Sequence, residues 1–93
     1  MKRANLEGAD LSRVSLRDAA LQDANLLGAD LSEANLKGAN LQGSDLQGAN
    51  LWEANLQDAN LLDANLKGAN LERANFRNAT MPSGKIFDPR LDF

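Results

Sequence analysis

An asparagine or aspartate recurs at every fifth residue, filling thirteen of the sixteen places from Asn5 to Thr80, with Ser15, Ala20 and Thr80 as the exceptions. Side-chain oxygens at a fixed spacing are what a hard cation needs. Calcium-binding rolls, however, repeat a Gly-Gly-x-Gly-x-Asp pattern, and the column here is mostly neutral amide. Asn and Asp also bond to backbone groups in turns and stack in ladders, so turn capping is the expected role and no metal or other cofactor is expected. The chain of 93 residues has no Cys and no His, which removes disulfides, zinc sites, thiol nucleophiles and imidazole acid–base chemistry together. It contains no G-x-x-x-x-G-K-[ST], G-x-G-x-x-G or H-E-x-x-H segment, and it is not expected to be an enzyme. Asn78-Ala79-Thr80 matches a glycosylation sequon. The opening Met1-Lys2-Arg3-Ala4-Asn5 carries no apolar signal segment, so that match is expected to be chance and the location cytoplasmic.

The element that holds these residues is a repeat. Large apolar residues stand at Leu6, Leu11, Leu16 and every fifth position onward to Leu71, Phe76 and Met81, without a slip. Two residues before each lies Ala, except at Val14 and Ser44. The unit is therefore A-(N/D)-L-x-x. In an α-helix a five-residue step turns by about 140°, so the leucines would scatter around the axis instead of forming a stripe. In an extended segment the small and large residues face one side and the polar residue the other. The two remaining positions are mostly Gly or charged or polar residues, which suits a tight exposed turn.

Units this short bury their Ala and Leu only by winding into a coil and stacking on the next turn. A second period gives the number of units per turn, because Gly8, Gly28, Gly48 and Gly68 recur every twenty residues. Four units per turn make a square cross-section. In that register Arg13, Glu33, Glu53 and Arg73 share one corner, and opposite charges meet across a coil spacing of about 4.8 Å at Arg13–Glu33 and Glu53–Arg73. Arg17, Lys37, Gln57 and Arg77 share another column. Ser44, standing where Ala is the rule, is expected to bond to a neighbouring backbone carbonyl.

From Ala4 to Ser83, sixteen consecutive A-(N/D)-L-x-x units, the chain resembles the pentapeptide-repeat family. The resemblance implies an all-β fold, a right-handed quadrilateral β-helix, here of four coils. Residues 1–83 are then the β-helix and 84–93 a C-terminal cap or tail. The stretch Ala79-Thr80-Met81-Pro82-Ser83-Gly84-Lys85 is similar to the terminator of cyanobacterial members, which implies a cyanobacterial origin.

Function must then reside on the outer surface or the ends. Leu27, Trp52 and Leu62 are apolar at outward positions that other units give to polar residues, and they fall on different faces. Trp buries a large area at small entropic cost, which makes Trp52 the leading candidate contact for a protein partner. Ile86, Phe87, Leu91 and Phe93 follow the last coil and are expected either to cap it or to join two copies end to end. At the other end Met1 already stands in the large-residue register, so either another chain covers the first coil or the repeat is longer. The net charge of −3 and isoelectric point near 4.7 argue against direct nucleic-acid or anionic-membrane binding.

The expected function is that of a non-catalytic scaffold for protein interaction. An alternative comes with the resemblance: some longer family members mimic acidic duplex DNA and occupy the DNA site of type II topoisomerases such as gyrase. The acidic corner pairs Asp18 and Asp23, and Asp58 and Asp63, invite it, whereas Gly38 and Gly43 interrupt both columns.

Overall fold

The computed structural model describes residues 1–87. Each five-residue unit makes one corner, a turn in which the Ala N–H donates to the carbonyl of the preceding large residue. Ala9 to Leu6 and Ala29 to Leu26, both 3.0 Å, are examples. The residue just before that Ala is left-handed in every unit. Its φ lies between 55° at Glu53 and 72° at Gly68 along the whole run of coils. The glycine recurrence thus marks one corner column of a conformation that ten non-glycine residues also adopt. At Gly48 a Cβ would meet nothing within 4 Å, so only the backbone conformation favours glycine there. Gly48→Ala is expected to cost about 1 kcal/mol and Gly48→Asn clearly less, because Asn tolerates the left-handed region. Urea denaturation checks this, and equal losses for Ala and Asn would contradict it.

Between corners a single residue pairs with the next coil. Twelve parallel bridges join Asn5 to Asn25, Asp10 to Asp30 and so on to Asn60 and Thr80, every one across twenty residues. Four columns result, among them Asp10–Asp30–Asn50–Asn70 and Ser15–Asn35–Asn55–Asn75. The large residue and the left-handed corner residue each donate an N–H to the coil that follows, as in Leu6 to Asn25 at 2.7 Å and Gly8 to Leu27 at 2.9 Å. The polar residue donates back, as in Asn25 to Ala4 at 2.9 Å. Backbone bonding is therefore satisfied between coils, which is what lets strands of one residue persist.

The interior is the leucine column. Leu21, Leu26, Leu31, Leu36, Leu41, Leu46, Leu51, Leu56 and Leu61 are fully enclosed, and Ala24, Ala29, Ala34 and their successors let the coils approach. Toward the two ends Leu6, Leu11, Leu66 and Leu71 are only partly buried. Ser44 departs from expectation. It is buried among these residues, yet its hydroxyl has no hydrogen-bond partner. The nearby carbonyls of Leu41, Ala24 and Ser44 itself already accept backbone N–H groups from Ser44, Asp45 and Asn65, within the turn and between coils.

After the last coil the chain turns back. Met81 N–H donates to Lys85 carbonyl at 2.7 Å, Gly84 N–H to Met81 carbonyl at 2.8 Å, and Thr80 and Ile86 form an antiparallel bridge. Phe87 N–H then donates to Ala79 carbonyl at 2.8 Å, and its ring lies 6.0 Å from that of Phe76, tilted by 51°. Phe87 thus covers part of the last coil, while Ile86 is exposed. Leu91 and Phe93 lie outside the described residues.

Candidate interaction surface

The repeated Asn and Asp are placed by the corner that follows them. Their Oδ1 accepts the backbone N–H two residues on, at 3.0 to 3.1 Å in most units and 3.3 Å at Asn5. The oxygen that a cation would need already faces a backbone donor in each such turn. Among the described residues no group of three or more acidic, His or Cys side chains is placed to hold a metal. Ladders between coils are sparser than expected, with amide-to-amide bonds at Asn25–Asn5, Asn60–Asn40 and Asn70–Asn50 only, among the described residues. Bonding Oδ1 to the N–H two residues on orients the amide for the turn rather than for the next coil.

Asp10 shows the local electrostatics. Its Oδ1 accepts from Ser12 Oγ at 2.7 Å and from Ser12 N–H at 3.1 Å, and these bonds hold the carboxyl below the usual range. A depressed folded-state pKa means that the stabilisation is present above the ordinary carboxylate pKa and is lost as pH falls through the folded value. NMR titration is expected to find Asp10 titrating lower than in Ser12→Ala, where the side-chain bond is gone. Identical titrations would contradict this.

The charged corners stack as the sequence indicates. Arg13 Nε lies 3.1 Å from Glu33 Oε2, and Arg73 Nη1 lies 3.6 Å from Glu53 Oε2. Both pairs are solvated, so each contributes less than about 1 kcal/mol. The acidic columns behave differently from a simple interrupted row. The Asp18 carboxylate lies where a side chain on Gly38 would begin, and Asp23 does the same over Gly43. Glycine in the second coil therefore makes room for aspartate in the first. Asp18 also sits 3.7 Å from Arg17 Nε, and Asp58 accepts from Asn78 Nδ2 at 2.9 Å.

The three outward apolar residues fall at three different corners and differ in exposure. Leu27 is exposed, whereas Trp52 and Leu62 are half-buried. Leu62 is shielded by the returning chain, since its Cδ1 would lie 3.5 Å from a Cβ on Gly84. Sequence reasoning could not see that cover, because it comes from a turn twenty residues away. Trp52 is framed by backbone bonds: its N–H donates to Asn50 Oδ1 at 3.1 Å and its carbonyl accepts from Glu33 N–H at 2.8 Å. Val14, which replaces Ala in the first coil, is also exposed.

Comparison with known proteins agrees with this architecture. The family model for pentapeptide repeats, in eight copies, matches residues 1–38, 15–52, 34–73 and 44–81. A crystal structure of HetL, a pentapeptide repeat protein involved in heterocyst differentiation regulation from the cyanobacterium Nostoc sp. strain PCC 7120, is 45% identical, with a TM-score of 0.57. That match covers 92% of this chain and 42% of HetL. A pentapeptide repeat protein of the cyanobacterium Cyanothece 51142 is 41% identical with a TM-score of 0.72, over 95% of this chain and 63% of the other. One from the Arabidopsis thaliana thylakoid lumen is 28% identical with a TM-score of 0.60, over 96% and 69%. The chain spans less than two thirds of the two cyanobacterial proteins. No match is found among curated proteins.

Proposed function

Because the chain belongs to the pentapeptide repeat family, we propose that it is a right-handed quadrilateral β-helix of four coils that acts without catalysis, presenting a rigid surface to another protein. One observation carries this reading. The side-chain oxygens that recur along the chain are engaged with its own backbone, whereas Trp52 is a partly exposed aromatic side chain at a corner position that most units give to polar residues. A surface already held by backbone bonds between coils loses little conformational entropy on association, so its outward residues set affinity and specificity. HetL, to which the chain is similar, is involved in heterocyst differentiation regulation, and a regulatory role is one that a binding surface on this chain would serve.

The topoisomerase-directed alternative needs an acidic face that runs the length of the coils, and Asp18 and Asp23 give way to Gly38 and Gly43 in the next coil. The experiment that tests the proposal is capture of partners from a lysate of the source organism on the immobilised chain, beside Trp52→Ala and a truncation after Gly84. A protein retained at high salt and lost with Trp52→Ala is the expected result. A topoisomerase subunit released by salt would establish mimicry instead, because screened charge would then carry the binding. Self-capture abolished by the truncation would transfer the function to the end of the helix.

A further inference from the structure

Resting on the reading of Trp52 as a contact residue, we infer that its corner receives an arginine side chain from a basic segment of the protein partner. In the twenty-residue register Trp52 follows Ser12 and Ser32 and precedes Glu72. Glu33 N–H donates to the Trp52 carbonyl at 2.8 Å and Glu53 N–H to the Glu72 carbonyl at 3.0 Å. Three glutamates therefore stand within one coil of the indole. Glu33 and Glu53 each face an arginine of their own column. The Glu72 carboxylate has no ion-pair or hydrogen-bond partner among the described residues and is exposed.

The corner thus repeats carboxylate–guanidinium pairing twice and leaves Glu72 without such a partner, one coil from Trp52 in the same column. A guanidinium fits that vacancy in two ways at once, since its plane stacks on an indole while its N–H fork reaches a carboxylate. Lysine offers a point charge without the plane. The bridge columns of the two flanking faces are Asp10, Asp30, Asn50, Asn70 and Ser15, Asn35, Asn55, Asn75. Neither column carries a cation, and the two cations of the corner itself, Arg13 and Arg73, are each paired with a glutamate, so an extended basic segment crossing the corner finds Glu72 as its unmatched charge.

Trp52 is the sole tryptophan and reports on its own corner. The experiment titrates the full chain with an acetylated, amidated tetra-arginine peptide and with its tetra-lysine counterpart, following Trp52 fluorescence and calorimetry at low ionic strength. Saturable binding that is about threefold tighter for arginine is expected, with a loss of about fivefold in Glu72→Gln. Absence of saturable binding, equal affinity for the two peptides, or an unaltered Glu72→Gln overturns the inference. Circular dichroism confirms that Glu72→Gln keeps the fold. If Trp52→Ala abolishes partner capture while Glu72→Gln leaves the peptide affinities unchanged, arginine recognition fails and the scaffold reading stands. A Trp52→Ala protein that still captures its partner removes both.

Discussion

Leu36→Ala is expected to lower the unfolding free energy by about 3 kcal/mol, measured by urea denaturation against the parent chain. Leu36 is fully enclosed, with leucines and alanines of its own and adjacent coils around it. Truncation removes the burial of its methyl groups and leaves a cavity, because coils held by backbone bonds on both sides cannot close the gap. Leu66 sits in the last coil and is only partly buried, so Leu66→Ala is expected to cost about half as much. Equal losses at the two positions would mean that the ends are as tightly packed as the middle, against the burial gradient seen along the leucine column.

Ser44→Ala is expected to raise stability by about 1 kcal/mol, an uncommon direction for a substitution in a core. The hydroxyl is buried without a hydrogen-bond partner, and every other unit but the one with Val14 places Ala at this position. Removing one oxygen ends the desolvation penalty of an unsatisfied group and leaves a side chain already accepted at the same place one coil away, in Ala24 and Ala64. The Ala49→Ser change is the converse experiment and is expected to destabilise by a similar amount. A loss of stability in Ser44→Ala would show that the hydroxyl bonds to something that the surrounding carbonyls do not provide.

Much of the fold could be read from residue spacing, and for a physical reason. A five-residue apolar period has one way to bury itself, and Gly8, Gly28, Gly48 and Gly68 with the Arg13–Glu33 and Glu53–Arg73 pairings marked the twenty-residue register that the bridges later showed. The left-handed corners were hidden because Arg, Asp, Glu and Asn occupy them as well as Gly. Ser44 was misjudged because the presence of nearby carbonyls does not place any of them within hydrogen-bond geometry of the hydroxyl, which has no partner. Leu62 looked like Trp52 in the repeat, and only the turn through Pro82 to Gly84 distinguishes them. Gly38 interrupts the acidic column as the sequence indicates, but that it also makes room for the Asp18 carboxylate could not be read, since the relation spans two coils and appears in neither unit alone.

A Trp52 corner held ready before any partner arrives has a signature in the amide hydrogen exchange of the free chain. The N–H groups of Glu33 and Glu53 bond to the carbonyls of Trp52 and Glu72, so both are predicted to exchange as slowly as the interior amides of Leu36 and Leu41, through global unfolding. If Glu33 and Glu53 exchange rapidly while Leu36 and Leu41 remain protected, the corner opens locally, and a preorganised binding surface at Trp52 is contradicted.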